Sequence, residues 1–321
     1  MEQIRGKQME YLQINNSELH VSRICIGGDP MGGHAWGQTD EAELTEAVEV
    51  GIEAGINFFD TADVYGLGRA ETLLGKALIG KRDRVVIASK FGVRRTSDNQ
   101  KTYYDNSPAW IRTAIEGSLR RLCTDYIDIY QIHYLDGKTP MEDIVDELER
   151  LKKEGKIRYF GLSNVTEKDM AFLLPFRNRF VSFQNQYSLA CRDYEGDINM
   201  ISQQIHATPF TWGSLGQGVL TGKYGRDVIF NSNDRRSRAT YPNFHGEKLQ
   251  KNMDIVDELV RLGKIYGKKP AAMAIRFILD YLPEAAVLVG VKRKEQVLTN
   301  CEACGWKLSP EHMELLDMVS K

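Results

Sequence analysis

Short β-rich runs alternate with amphipathic helical stretches along most of this chain, and few folds are compatible with that order of elements. Several of the runs are apolar nearly throughout, which is typical of parallel strands covered on both faces. The runs are Arg23–Gly28, Asn57–Ala62, Arg84–Lys90, Tyr126–His133, Tyr159–Asn164, Phe180–Tyr187, Thr208–Trp212 and Ala285–Gly290. Eight strands alternating with helices predict an α/β fold, a (β/α)8 barrel in a single domain over residues 1–321. A doubly wound sheet is the alternative. Its dinucleotide-binding form needs G-x-G-x-x-G after the first strand, and the chain contains no such motif.

Three parts of the sequence add to the eightfold repeat. Met9–Ser22 contains two short runs around Asn15-Asn-Ser, which predict a β-hairpin that covers the barrel floor. Gly225–Gly246 is long, polar and rich in arginine, and we expect it to form a flexible loop over the barrel mouth. Two extra helices, near Pro270–Leu282 and Pro310–Ser320, are expected to flank the last strand.

The composition argues against several classes of protein. Of the 321 residues, 42% are hydrophobic and 27% are charged, which is ordinary for a globular protein with a sizeable core. The net charge of −2 indicates neither a nucleic-acid nor a membrane partner, and no apolar stretch is long enough for a membrane span. Residues 1–10 lack the apolar segment of a signal peptide, so we expect a cytoplasmic protein. Cys301 and Cys304 have no second pair beside them, and we interpret them as a coincidence rather than as a redox or metal site.

Four polar residues lie at or just beyond the ends of consecutive predicted strands. Asp60 and Tyr65 follow the second strand, Lys90 ends the third and His133 ends the fourth. Because the carboxyl ends of barrel strands surround one mouth, we expect these four side chains to converge there.

These residue types together suit proton donation to a carbonyl oxygen. Free tyrosine titrates near pH ~10. An adjacent ammonium favours the phenolate, so we expect Lys90 to lower the pKa of Tyr65, while Asp60 holds the lysine in place. His133 would orient the substrate oxygen or assist the proton transfer. Each residue has an ordinary alternative, as a solvated lysine, a core histidine or a turn-capping aspartate, but their joint occurrence at matched strand ends favours catalysis.

The segment Asn57–Glu71, with Leu74-Gly75 after it, resembles the signature of the aldo-keto reductases. Lys90 in Ala-Ser-Lys-Phe-Gly and His133 in Tyr-Gln-Ile-His match the remaining catalytic positions of that family, and the resemblance extends to the C-terminus. Further segments look most like bacterial members related to the inositol-operon reductases, namely Asp105–Pro108, Thr124–Asp128 and Gly290–Arg293.

The resemblance implies a nicotinamide cofactor site at the later strand ends. It assigns the carboxamide to Ser163, Asn164 and Gln184, and Trp212 stands where the family usually has a tyrosine against the nicotinamide ring. The Gly-rich segment 213–223 resembles the loop over the pyrophosphate, where glycines let backbone N–H groups approach the phosphates. The residues of this loop expected at the cofactor are Gly213, Leu215, Gln217, Gly218 and Lys223.

The segment after the last strand matches the adenosine end of the cofactor site. Lys292 and Arg293 open a helix and suit a 2′-phosphate, which favours NADP(H) over NAD(H). Gln296 stands where many relatives carry arginine, and Val289 replaces the usual proline. Arg235-Arg236 would either close over the cofactor or remain solvated. The residues expected at this end are Gly290, Lys292, Arg293, Gln296 and Asn300.

The resulting hypothesis is an NADP-dependent oxidoreductase that interconverts an aldehyde or ketone, including a sugar or polyol derivative, with the alcohol. Tyr65 would act as general acid and base. A regulatory subunit that binds NADPH with little turnover is one alternative, disfavoured by the intact set of four residues and by the lack of an added N-terminal segment. An aldolase that uses Lys90 as a Schiff-base lysine is the other. Trp36, Phe91 and Tyr134 would line the substrate pocket, whereas Trp110 is expected to be a packing residue of its helix.

Overall fold

The computed structural model describes residues 9–33, 35–96 and 101–321. In chain order the strands are β1 (Tyr11–Gln13), β2 (His20–Ser22), β3 (Ile24–Gly27), β4 (Phe58–Asp60), β5 (Val86–Phe91), β6 (Val93–Arg95), β7 (Thr102–Tyr104), β8 (Ile127–Ile132), β9 (Ile157–Ser163), β10 (Ser182–Gln186), β11 (Thr208–Trp212) and β12 (Ala286–Gly290). The α-helices are α1 (Glu41–Glu53), α2 (Arg69–Ala77), α3 (Pro108–Leu122), α4 (Met141–Lys153), α5 (Met170–Leu173), α6 (Glu195–Ile205), α7 (Gly246–Tyr266), α8 (Pro270–Tyr281), α9 (Lys294–Cys301) and α10 (Pro310–Ser320). The signal-peptide prediction rests mainly on residues 1–8, which lie outside the described part of the chain.

Eight of the strands form the predicted barrel. They pair in parallel in the order β3, β4, β5, β8, β9, β10, β11 and β12, and β12 closes the ring on β3. Each of these strands overlaps the run predicted for it. The outward-facing apolar side chains of the barrel and the inner faces of the helices share one buried cluster. The (β/α)8 prediction is therefore confirmed.

The alternation of side chains along each strand determines what the barrel mouth contains. Every second residue of a strand points to the same face. Phe58 of β4 and Ile129 of β8 belong to the buried apolar interior of the barrel. The same inward positions continue to Asp60 on β4 and to His133 just after β8, and the inward position at the end of β5 is Lys90. The interior thus changes from apolar to polar toward the carboxyl ends of the strands.

The N-terminal hairpin caps the opposite end, as predicted. β1 and β2 pair antiparallel. Ile14, Leu19 and Val21 are almost completely buried and join the interior cluster of the barrel. Hydrophobic side chains therefore close the floor, and the polar end is the one left for a ligand.

The insertions are placed as the sequence predicts, with one addition. α8 precedes β12 and α10 ends the chain, as expected of the two extra helices. The loop after β5 contains a second hairpin, β6 and β7, which sequence reasoning missed because its strands are short and polar. Within the described ranges, no helix is both long and apolar enough to cross a membrane.

Candidate active site

A cavity of about 700 Å³ lies at the carboxyl ends of the barrel strands. Asp60, Tyr65 and His133 line it, and Lys90 lies directly beneath them, fully buried. The remaining wall comes from the ends of the later strands and from the loop that precedes α7. The structure thus brings together the four polar residues that the sequence distributes over three strands.

Lys90 joins the other members of this group. Its Nζ donates to Asp60 Oδ1 at 2.6 Å, to the carbonyl oxygen of Thr61 at 2.9 Å and to the Tyr65 hydroxyl oxygen at 3.2 Å. An ammonium has three protons, so all of its donors are used. Water barely reaches the ion pair, since the lysine side chain is 0% and the aspartate side chain 3% exposed. The position of the Tyr65 hydroxyl is therefore tied to a buried, fully bonded cation.

The second carboxylate oxygen of Asp60 is also held. Its Oδ2 accepts hydrogen bonds from Gln131 Nε2 at 3.2 Å and from Gln184 Nε2 at 2.9 Å. A buried carboxylate needs such partners because an unpaired charge is costly away from water. Sequence reasoning missed Gln131, although its place two residues before His133 puts it on the same inward face of β8.

One expectation about Tyr65 is wrong. Burial, followed by the negative charge of Asp60, raises the pKa of Tyr65 well above its usual value, whereas sequence reasoning predicted that Lys90 lowers it. The main reason is burial, because a phenolate loses its hydration inside the protein, and the Asp60 carboxylate disfavours a second negative charge nearby. The hydroxyl is therefore protonated at neutral pH, and this is the form that a proton donor requires.

His133 lies beside Tyr65, and their rings form a perpendicular pair. The ring centroids of Tyr65 and His133 are 5.7 Å apart, and the ring planes are nearly perpendicular. On its other side His133 stacks on Tyr134, which stacks on Tyr104 of the β6/β7 hairpin. Burial, helped by the charge of Lys90, holds the pKa of His133 well below its usual value. The imidazole is therefore neutral at neutral pH and can donate one hydrogen bond without carrying a charge.

The turn that carries Tyr65 packs directly on the turn after β3. The two backbones meet at Gly32 and Gly66, where a Cβ on Gly66 would stand 2.5 Å from the Gly32 oxygen. Gly66 also has a φ of +58°, which other residues rarely adopt. This contact leaves no room for a side chain on either residue, and it keeps residues 29–32 against the turn of Tyr65.

The residues expected at a nicotinamide carboxamide all line the cavity, although one differs in its bonding. Asn164 Oδ1 accepts a hydrogen bond from Trp212 Nε1 at 3.1 Å, which fixes the indole at the cavity wall. Ser163 lies beside them. Gln184, expected at the carboxamide, also donates from its amide nitrogen to Asp60. Its oxygen is the atom left for a ligand.

The Gly-rich loop after β11 also reaches the cavity. Asn243 Nδ2 donates to Gln217 Oε1 at 2.6 Å and anchors the middle of the loop to the segment before α7. Gln217 has a φ of +56°, so a kink interrupts the 3-10 turns of this loop. All the residues expected here line the cavity, namely Gly213, Leu215, Gln217, Gly218 and Lys223.

The residues after β12 were predicted to contact the adenosine portion of the cofactor, and we call this part of the cavity the adenosine end. Its lining matches the prediction only in part. Gly290, Lys292, Gln296 and Asn300 line the cavity, but Arg293 does not. The expectation that Arg293 faces a 2′-phosphate is wrong for this structure, because its exposed guanidinium turns toward α1 and pairs with Glu43 at 3.1 Å.

The polar groups that remain at this end have different tasks. Lys292 Nζ donates to the carbonyl oxygens of Trp36 and Gln38, so it holds the loop after β3. Gln296 Oε1 accepts from the backbone N–H groups of Lys292 and Arg293 and thereby caps the start of α9. Asn300 Nδ2 is buried and has no partner among the described residues. A buried donor without a partner beside a cavity is suited to a polar ligand.

The loop before α7 spans the cavity, as predicted. Its Arg235 N–H donates to the carbonyl oxygen of Ala35 at 2.9 Å. Arg235, Arg236 and Tyr241 line the cavity from this side. The loop therefore forms part of the cavity wall.

Two of the three predicted substrate-pocket residues are where the sequence indicated. Trp36 and Tyr134 line the cavity. Phe91 does not, since it is fully buried and its ring lies 4.8 Å from that of Tyr130. The physical reason is the strand alternation: Lys90 points inward, so the next residue points outward to the helices.

Outside the cavity, Trp110 packs under the Arg94 guanidinium at 4.0 Å, as expected. Asp29 and Tyr241 are among the cavity residues that sequence reasoning missed. For Asp29 a signal existed, because it comes directly after the end of the first barrel strand.

Comparison with known proteins finds relatives along almost the whole chain. Residues 23–321 match the model of the aldo/keto reductase family. The aldo-keto reductase YhdN of Bacillus subtilis is 32% identical over 317 residues, covering 97% of this chain and 93% of the relative. The structure of the glycerol dehydrogenase AKR11B4 of Gluconobacter oxydans matches with a TM-score of 0.86 and 33% identity, over 96% of this chain and 94% of that one. An aldo-keto reductase of Klebsiella pneumoniae, solved in complex with NADPH, has a TM-score of 0.75 and 28% identity, over 98% and 95% of the two chains.

Proposed function

The chain belongs to the aldo/keto reductase family, and we propose that it is an NADP(H)-dependent oxidoreductase that interconverts an aldehyde or ketone with the alcohol. The observation that carries the proposal is the Tyr65 hydroxyl, 3.2 Å from the buried Lys90 ammonium and at the wall of the cavity. A protonated phenol held by a fixed cation at the barrel mouth suits proton transfer to a carbonyl oxygen. The glycerol dehydrogenase among the relatives makes polyols and their carbonyl forms natural first substrates to test.

NADP(H) fits the residues that line the cavity. Ser163, Asn164 and the Gln184 oxygen would hold the carboxamide, and Trp212 would lie against the nicotinamide ring. Asn300, whose buried Nδ2 has no partner in the described part of the chain, would donate to the adenosine portion. Lys223 and Lys292 would meet the phosphates. Solved relatives from Klebsiella pneumoniae contain NADPH or NADP.

When bound, NADPH supplies the hydride that converts the carbonyl carbon to an alcohol carbon. Tyr65 gives its proton to the oxygen, and the negative charge that remains on the phenol is met by Lys90 at 3.2 Å. Asp60 keeps the ammonium in place through the 2.6 Å ion pair. The neutral His133 orients the carbonyl oxygen toward the phenol by a hydrogen bond. In the oxidation direction Tyr65 accepts the proton instead.

The environment of Lys90 argues against the aldolase alternative. A Schiff base requires a free amine that reaches the substrate. The Lys90 side chain is 0% exposed, and its three donors are engaged by Asp60, Thr61 and Tyr65. The lysine is therefore better suited to hold a charge than to attack a carbonyl.

Substitution Tyr65→Phe tests the proposed function. It removes the proton donor and keeps the ring, so we expect kcat for NADPH-dependent aldehyde reduction to fall by about 10²–10⁴-fold. The Kd for NADPH, measured by fluorescence titration, is expected to change by less than about twofold, since the Tyr65 hydroxyl is bonded to Lys90, which is not among the residues proposed to hold the cofactor. Tyr104→Phe is the control, because that tyrosine lies on the β6/β7 hairpin outside the cavity.

Two outcomes contradict the proposal. Near wild-type turnover by Tyr65→Phe would remove the tyrosine from the mechanism. A wild-type protein that binds NADPH but does not oxidise it with any aldehyde in a single-turnover experiment would instead support the regulatory subunit.

A further inference from the structure

Two opposite charges lie together at the wall of the cavity, and the proton transfer proposed for Tyr65 uses neither. Asp29 begins the turn after β3, and Arg235 lies in the loop before α7. Arg235 Nη1 is 3.1 Å from Asp29 Oδ2, and both side chains line the cavity. The Asp29 side chain is 31% and the Arg235 side chain 18% exposed, so the pair is accessible to a ligand.

The pair is fixed on an aromatic frame. Trp36 Nε1 donates to the same Asp29 oxygen at 2.8 Å. The Arg235 guanidinium lies over the ring of Trp36, 4.8 Å from its centroid, and 5.8 Å from the centroid of Tyr241. Both charged groups are therefore held in position before a ligand arrives, which lowers the entropy cost of binding one.

The pair also lies next to the proposed proton donor. The Gly32–Gly66 backbone contact packs the turn of Asp29 on the turn of Tyr65. After burial and the Asp60 charge, the Asp29 carboxylate raises and the Arg235 guanidinium lowers the pKa of Tyr65, in agreement with the packing of the two turns. A group bound by the pair would therefore belong to the part of the substrate adjacent to the reacting carbonyl.

We propose that Asp29 and Arg235 form a subsite for a hydroxyl group next to the carbonyl, and that the substrates are neutral α-hydroxy aldehydes or α-hydroxy ketones. This inference rests on the proposed function and specifies its substrate class. A hydroxyl can donate to a carboxylate and accept from a guanidinium at the same time. A plain alkyl group would cover both charges without replacing their hydrogen bonds, and this is costly. An anionic substrate would meet the Asp29 carboxylate as a like charge.

A purely structural role in closing the loop does not need this pair. The Arg235 N–H already donates to the Ala35 oxygen. Arg236 donates to Tyr224 at 2.6 Å and to Asp234 at 2.6 Å. The loop is thus tied to Ala35 and Tyr224 by bonds that involve no side-chain atom of Asp29.

The test compares the substrates glyceraldehyde, propanal and glyoxylate at saturating NADPH. Glyceraldehyde and propanal differ by two hydroxyls, and glyoxylate carries a carboxylate next to its aldehyde. We expect wild-type kcat/KM to favour glyceraldehyde over propanal by about 10–100-fold, the usual range for hydrogen bonds to charged groups. Asp29→Asn should lower this ratio about tenfold or more, and it should raise kcat/KM for glyoxylate by about tenfold, because Arg235 then meets an anion without a competing charge.

Arg235→Met supplies the second variant. It should also lower the glyceraldehyde to propanal ratio, but without any gain for glyoxylate. A structural disturbance would lower all three values together and leave the ratios unchanged. Glu43→Gln is the matched control, since this carboxylate also pairs with an arginine but lies outside the cavity.

The outcomes separate this inference from the proposed function. If propanal is reduced in a Tyr65-dependent way while both variants keep the wild-type ratio, the subsite is overturned and the reductase stands. A wild-type preference for glyoxylate over glyceraldehyde would likewise overturn the subsite, since Arg235 would then be an anion anchor. If no aldehyde is reduced by the wild-type protein, the proposed function itself fails.

Discussion

The two ends of the cavity differ in how their side chains are held. At the catalytic end, Lys90 and Asp60 are buried on barrel strands and all their hydrogen bonds are satisfied within the protein. At the adenosine end, Arg293 is exposed and pairs with Glu43, while Lys292 holds backbone carbonyls of another loop. Barrel closure determines the first arrangement. The second depends on which carboxylates and backbone carbonyls lie within reach on neighbouring elements.

This difference determines where the role of a side chain can be predicted from its residue type. A side chain on a closed barrel strand has one direction, because alternation and register leave no other. A long cationic side chain after the strand can reach several carboxylates or carbonyls, and a surface ion pair contributes only about 0–1 kcal/mol. The role of a lysine or arginine can therefore be predicted less well in the loops at the adenosine end than on a strand at the barrel mouth.

The largest effect is expected when the buried ion pair between Lys90 and Asp60 is broken. Lys90→Met leaves the Asp60 carboxylate buried without its cation, which should lower the free energy of unfolding by about 3–5 kcal/mol. Turnover should fall by about 10²–10⁴-fold. The double variant Asp60→Asn/Lys90→Met removes both charges, so urea denaturation should show most of the stability restored while NADPH oxidation stays low. A single variant as stable as the wild type would contradict the buried-pair interpretation.

A second prediction concerns Asp63, between Asp60 and Tyr65 on the same turn. Its Oδ1 is buried without a partner among the described residues, and burial, followed by the charge of Glu71, raises the pKa of Asp63 to about 8. The folded state therefore holds a proton that the unfolded chain loses near pH ~4. The contribution of Asp63 to stability is full below that pH and is lost as the pH rises to about 8.

Asp63→Asn should remove this dependence. Between pH 5 and pH 8 the stability of the variant relative to the wild type should rise by at most about 1.4 kcal/mol per pH unit. Urea denaturation of both proteins across this range measures the difference directly. Parallel curves would show that the carboxyl is already ionised in the folded protein.

The smallest effects are expected at the adenosine end. Lys292→Met should weaken NADPH binding by about tenfold relative to NADH, since the lysine lines the cavity but must share its charge with two carbonyl oxygens. Arg293→Met should change both Kd values by less than about twofold, because that guanidinium pairs with Glu43 at the surface. Fluorescence titrations with both cofactors test this order. The reverse order would mean that Arg293 turns inward when the cofactor binds.

Much of the fold could be predicted because its signals are local. Apolar runs, glycine stops and the spacing of helical stretches specify the eight strands, and each observed strand overlaps its prediction. The β6/β7 hairpin escaped prediction because its stability depends on contacts such as the stack of Tyr104 on Tyr134 rather than on a hydrophobic pattern.

The candidate site, too, was predictable where the signals are local and unpredictable where they depend on tertiary contacts. Asp60, Lys90 and His133 follow from strand ends, while Phe91 was misassigned although strand alternation beside the inward Lys90 already points it outward. The pKa of Tyr65 was predicted with the wrong sign because burial, followed by the Asp60 charge, raises it, and burial exists only in the folded barrel.

The order of residues along the chain by itself determined the barrel, the convergence of four polar side chains at one mouth and the membership in a reductase family. The pairing of charged side chains depends on the tertiary structure, which paired Arg293 with Glu43 and placed Asp29 against Arg235 across more than half of the chain. Local propensity and periodicity act over a few residues, whereas Coulomb interactions and hydrogen bonds depend on distances that exist only after the barrel closes.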